Sequence, residues 1–126
     1  MRARPLFHDY RADNLTVKAT LIAAILLAAL AVPLAARAET PEFTIVITNH
    51  RFEPAEVTVP AGKRVKLVID NRDQTPEEFD SHDLKREKVI AGGSKADVWV
   101  GPLKPGTYAF VGEYHEDTAK GKLIAK

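Results

Sequence analysis

From Phe43 onward the chain reads as short apolar segments separated by turn signals, and no long stretch shows a convincing 3.6-residue apolar period. Phe43-Thr44-Ile45-Val46-Ile47-Thr48 is rich in β-branched residues, and Phe43, Ile45 and Ile47 alternate with Thr44, Val46 and Thr48 to give one clearly apolar face. Val57-Thr58-Val59 predicts a second strand, closed by Pro60-Ala61-Gly62. Val65, Leu67 and Ile69 alternate with Lys66, Val68 and Asp70 in a third. Ala96 to Val100 and Thr107 to Val111 predict two more, joined by Gly101-Pro102-Leu103-Lys104-Pro105-Gly106, which cannot be helix interior. Lys122 to Ala125 predicts a terminal strand. Short strands at such spacing, with turn signals between them, point to an all-β sandwich or barrel. Phe52 and Trp99 are the large aromatics expected to anchor its core. The stretch from Asp70 to Lys88 breaks the pattern: it is acidic, carries Pro76, and reads as a long connection of the kind that carries function.

The first 38 residues differ from the rest. Arg2, Arg4, Arg11 and Lys18 form a basic leader, Ala19 to Ala36 is uncharged and apolar, and Ala36-Arg37-Ala38 offers small residues at alternate positions. That order is the signature of a cleavable secretory signal peptide. We therefore expect residues 1–38 to be a helical signal peptide, cut between Ala38 and Glu39, and residues 39–126 to be one domain exported to the bacterial periplasm and not spanning the membrane. The alternative is an uncleaved anchor, which Pro33 and the run of alanines weaken. Five of the 18 Lys and Arg and two of the 17 Asp and Glu lie in the leader, so the exported part is near −2. No basic patch interleaved with aromatics remains, which argues against nucleic-acid binding.

The chain has no cysteine, and its one methionine is Met1. The exported domain thus holds no disulfide and offers no sulfur to a metal. Nitrogen and carboxylate donors remain, and these suit Cu(II), Zn(II), iron or Mn(II) better than Cu(I).

Phe52-Glu53-Pro54, Val57 to Gly62, and Val65 with Leu67 resemble the opening strands of cupredoxins, and Leu103-Lys104-Pro105-Gly106-Thr107-Tyr108-Ala109-Phe110 resembles the strand that leads into their copper loop. The resemblance implies a Greek-key β-sandwich. In a blue-copper protein the loop after Phe110 carries Cys, His and Met. Here those positions read Gly112, His115 and Ala119, so the resemblance implies no blue-copper centre. The upstream ligand loop follows an Asn that matches Asn71, and its His is replaced near Glu78 in Pro76-Glu77-Glu78-Phe79. The pattern is most similar to cupredoxin-like components of periplasmic iron-uptake systems, which accompany an inner-membrane iron permease.

The resemblance implies metal ligands at His115 and Glu78, with Glu77 the competitor, since alternation lets only one of the two acids point inward. Glu113 and His50 are further candidates; His50 lies two before Phe52 and so on the same side of an extended strand. His82, Asp83 and Glu87 read as exposed loop residues, and His8 belongs to the leader. No nucleophile–base–orienter set is legible, because Ser81-His82-Asp83 are adjacent in a row rather than assembled in space. Three readings stand: a periplasmic metal-binding protein serving iron or copper uptake, by holding the ion or helping to oxidise Fe(II); a metal-free protein-interaction module; and a copper or zinc chaperone.

Overall fold

The computed structural model describes residues 36–126; the signal-peptide expectation falls almost wholly outside them. Nine strands follow: β1 Glu42–Thr48, β2 Arg51–Glu53, β3 Glu56–Val59, β4 Val65–Asn71, β5 Glu77–Ser81, β6 Arg86–Ile90, β7 Lys95–Val100, β8 Gly106–Gly112 and β9 Lys120–Ala125. One short 3₁₀ turn, Glu113–His115, lies between β8 and β9. The strands form two sheets, ordered β2-β1-β4-β7 and β3-β9-β8-β5-β6. Both sheets are mixed: β1 runs parallel to β4 and β3 parallel to β9, and the other pairs are antiparallel.

The alternation read from the sequence sets the core. Ile45 and Ile47 of β1, Leu67 and Ile69 of β4, and Val98 and Val100 of β7 face Val57, Val59, Phe79, Ile90, Phe110 and Leu123 from the other sheet. Phe52, Phe79 and Phe110 cluster at its centre, Phe52 edge-on to Phe110 at 5.0 Å and Phe79 tilted on Phe110 at 4.9 Å between ring centroids.

Two expectations are corrected. Trp99 is not a core anchor. It lies on the outer side of β7, 36% exposed, with the Arg64 guanidinium 4.4 Å above its ring. The step from Val98 to Trp99 to Val100 explains why: the two valines take the inward positions and leave the ring the outer one. The stretch after Asp70 is not one long connection either, because it holds β5 and most of β6. Its inward positions are Glu77, Phe79 and Ser81, so two of the three are polar and the usual apolar alternation is missing.

What shapes the segment between β4 and β5 is Asn71, which is fully buried. Its Nδ2 donates to the carbonyls of Thr75 and Ile90 at 2.9 and 3.1 Å, and its Oδ1 accepts the Asp73 amide at 3.1 Å. An Asn71→Ala variant removes these hydrogen bonds, one of them fully buried. We expect it to lose about 2–4 kcal/mol of stability in urea unfolding, since each orphaned buried group costs about 1–3 kcal/mol. A loss below about 1 kcal/mol contradicts this account of the turn.

Candidate metal centre

Three elements meet at one end of the sandwich: the β1–β2 turn, the start of β5, and the 3₁₀ turn after β8. They bring His50, Glu77 and His115 together, with one donor atom from each lying within 4.8 Å of the others. Glu77 is the buried member, 1% exposed, and the imidazoles are half-buried.

Glu77 is held from both sides of its carboxylate. Oε1 accepts the backbone amides of Glu78 and Tyr114, each at 3.0 Å. Oε2 lies 2.5 Å from Nδ1 of His115. Two amides and an imidazole thus partner the buried carboxylate oxygens. The His50 ring stacks on the His115 ring, with centroids 3.5 Å apart and planes 20° from parallel. His50 and the 3₁₀ turn Glu113–His115, together with Glu116, Asp117 and Thr118, line an open hollow of about 420 Å³.

The carboxylate needs the space that Gly112 leaves. A Cβ on Gly112 would lie 2.7 Å from Cδ of Glu77, 2.9 Å from its Oε1 and 2.6 Å from Cβ of Ala119. The amide of Gly112 donates to the Ala119 carbonyl at 2.8 Å, and the amide of Ala119 to that of His115 at 2.8 Å, which closes the loop tightly around the site.

Of the residues expected at a metal, the structure gathers His115 and His50. Glu78 is not with them. It takes the opposite side of β5 from Glu77 and Phe79, and stands beside Glu113 and Tyr114 on the outer face. Glu113 borders the hollow, but its carboxylate is not among the gathered donors. The Glu78 carboxylate, then burial, then Asp80 push the Glu113 pKa upward, as crowded like charges do. Burial, with Glu78 beside it, likewise raises that of Tyr114. The signal for Glu77 was present in the sequence: Phe79 must point into the core, and Glu77, two residues before it, shares its side. His82 and Asp83 stand apart from the three gathered donors, with Asp83 Oδ2 accepting the Ala109 amide at 2.9 Å.

The sequence matches the cupredoxin-like domain family over residues 20–125. The chain belongs to that family. Its nine-stranded sandwich resembles auracyanin A, a blue copper protein from Chloroflexus aurantiacus, with TM-score 0.60 and 15% identity over 70% of this chain and 100% of that one. It also resembles the metal-binding domain of the Cu(I)-exporting P-type ATPase CopA of Streptococcus pneumoniae, with TM-score 0.59 and 13% identity over 71% of this chain and 91% of that one. Identities this low speak for the fold. A nearer relative in sequence is the protein RP394 of Rickettsia prowazekii (strain Madrid E), 45% identical over 83 residues; the match spans 66% of each chain, just under two thirds of that relative's length.

A blue-copper centre does not fit this cupredoxin-like chain. It depends on a thiolate, and the chain has no cysteine. Gly112 stands where the resemblance to blue-copper proteins implies that thiolate, and the space beside it is filled by the Glu77 carboxylate. Two imidazoles and a carboxylate do fit a copper, iron or zinc ion that prefers nitrogen and oxygen.

Proposed function

We propose that this protein is a periplasmic metal carrier serving iron or copper uptake, and that His50, Glu77 and His115 hold the ion. The observation that carries the reading is Glu77: a carboxylate buried to 1% exposure, aimed at two stacked imidazoles at the mouth of the fold. A buried acid is costly, and an ion shared with two imidazoles gives it a use. The leader read from the sequence supports an exported location. The copper proteins among the structural neighbours and the resemblance to iron-uptake components support copper or iron as the cargo. A bound copper or iron ion would supply one-electron chemistry. An inner-membrane permease is the partner that this reading implies.

The test is calorimetric titration of metal-free protein with Cu(II), Fe(II), Mn(II) and Zn(II), repeated on His115→Ala and on Glu116→Ala. We expect His115→Ala to lose more than about 100-fold in affinity, beyond the 10–100-fold typical of groups that only support a ligand. Glu116→Ala, on the hollow's rim, is expected to bind nearly as the unmodified protein does. Equal losses in both would reduce the effect to general electrostatics. The Cu(II) form is expected to show only weak d–d absorption, since no thiolate can give an intense charge-transfer band. An intense visible band contradicts the assigned donor set.

A further inference from the structure

His50 occupies a place in the backbone that suits it poorly. β1 and β2 pair through Thr48 and Arg51, so Asn49 and His50 are the two central residues of a tight hairpin turn. Both have left-handed backbones, with φ of 51° at Asn49 and 57° at His50. Turns of this kind favour Asn-Gly, because the second position is least strained with no Cβ. Asn fits here; His stands where glycine is expected.

A distant residue holds the turn. Oδ1 of Asp73 accepts the Asn49 amide at 2.8 Å, and Oδ2 accepts the His50 amide at 2.9 Å. The same Oδ2 lies 3.6 Å from Nδ1 of His50, close enough to orient the ring electrostatically but too far for a hydrogen bond. Asp73 is fixed in turn through its own amide, which donates to Asn71 Oδ1. From the other side, the Thr118 hydroxyl donates to the His50 carbonyl at 2.6 Å. Thr118 lies just after His115 in the loop that supplies the other imidazole. His50 is thus gripped at its amide and at its carbonyl, by residues 23 and 68 positions away.

We propose that Asp73 and Thr118 are positioning residues that hold His50 in its left-handed turn so that its imidazole stays beside His115, within reach of the same ion as a ligand. The inference rests on the metal reading above and adds to it two residues that touch no ion. It explains why the turn keeps a histidine where glycine is easier: the strain is retained at a functional position and held by surrounding hydrogen bonds.

The experiment uses Cu(II) as probe on the protein purified as it accumulates in the cell. Affinity is read by calorimetry, and the number of bound imidazoles by pulsed electron paramagnetic resonance. Unmodified protein is expected to show two imidazoles. Asp73→Ala is expected to show one, with affinity lowered about 10–100-fold. Thr118→Val, which keeps the shape and removes the donor, is expected to shift the same signal part of the way. His50→Gly, the substitution the backbone favours, is expected to melt at or above the unmodified temperature without metal and to show one imidazole with it. The deciding step is Asp73→Ala made on His50→Gly: if Asp73 acts through His50, affinity does not fall further. A further fall of similar size makes Asp73 a long-range charge and overturns the proposal, as does Asp73→Ala retaining two imidazoles. Unmodified protein that binds no Cu(II) overturns this proposal and the metal reading together. Binding through two imidazoles with an indifferent Asp73 overturns this proposal alone.

Discussion

Glu77→Gln is expected to lower affinity for a divalent cation by more than about 100-fold while the protein stays folded. The substitution is chosen for what it preserves. The amide oxygen can still accept from the Glu78 and Tyr114 amides, as Oε1 does now. Only the second atom changes, from a carboxylate oxygen beside His115 to an NH₂ group that has no lone pair for an ion. Glu77→Ala tests less cleanly, since it empties a buried position and orphans the same amides. Its stability loss of about 2–4 kcal/mol would mix with the loss of a ligand. Titration of the glutamine variant, with circular dichroism to confirm the fold, separates the two effects. A glutamine variant that binds as tightly as the unmodified protein removes Glu77 from the donor set. Glu78→Gln is the internal control. Glu78 stands on the other side of β5, and its loss is expected to leave affinity within about threefold, the scale of a screened surface charge.

The same strand shows how far the sequence carried and where it stopped. The strands whose inward positions are apolar, β1 and β7 throughout and β4 up to its last residue Asn71, were legible because burial selects one side every second residue. β5 hid itself, because two of its three inward residues serve polar purposes: Glu77 at the gathered donors, and Ser81, whose hydroxyl donates to the Ala109 carbonyl and accepts the Leu84 amide. A strand spent partly on a site loses the apolar pattern that announces a strand. The acid beside the imidazoles was then assigned one residue late, although Phe79 fixed the parity. His115 was found through the loop that follows Phe110. His50 was named from its two-residue spacing to Phe52 on an extended strand, but it sits in a left-handed turn before β2, so that parity did not apply; and nothing in the sequence showed that Asp73 grips the turn, because that contact spans 23 positions. Trp99 misled for the opposite reason: size suggests burial, but the strand's alternation decides it.

Gly112→Ala is expected to destabilise the protein by about 3 kcal/mol or more and to abolish tight metal binding, although it adds one methyl group. Overpacking a well-filled interior costs about 1–3 kcal/mol, and this methyl would meet two neighbours at once. It would come within 2.7 Å of Cδ of Glu77 and 2.6 Å of Cβ of Ala119, distances that ordinary packing does not reach. The carboxylate is the softer of the two obstacles, but it cannot move without surrendering its two amide donors and His115. The damage therefore runs through Glu77, and a double-mutant cycle can expose it. On a Glu77→Ala background the methyl has room on that side, so Gly112→Ala should cost at least about 1 kcal/mol less than it does alone, as expected for residues in direct contact. The part owed to Ala119 should persist in both backgrounds. Strict additivity would show that Gly112 and Glu77 are independent. Coupling of the expected sign has a chemical consequence. A cysteine introduced at 112 begins with the same Cβ, so Gly112→Cys alone is expected to be destabilised and to lack an intense thiolate–copper band. Glycine at 112 and glutamate at 77 are then two halves of one arrangement, in which a buried carboxylate takes the space that a side chain at 112 would need.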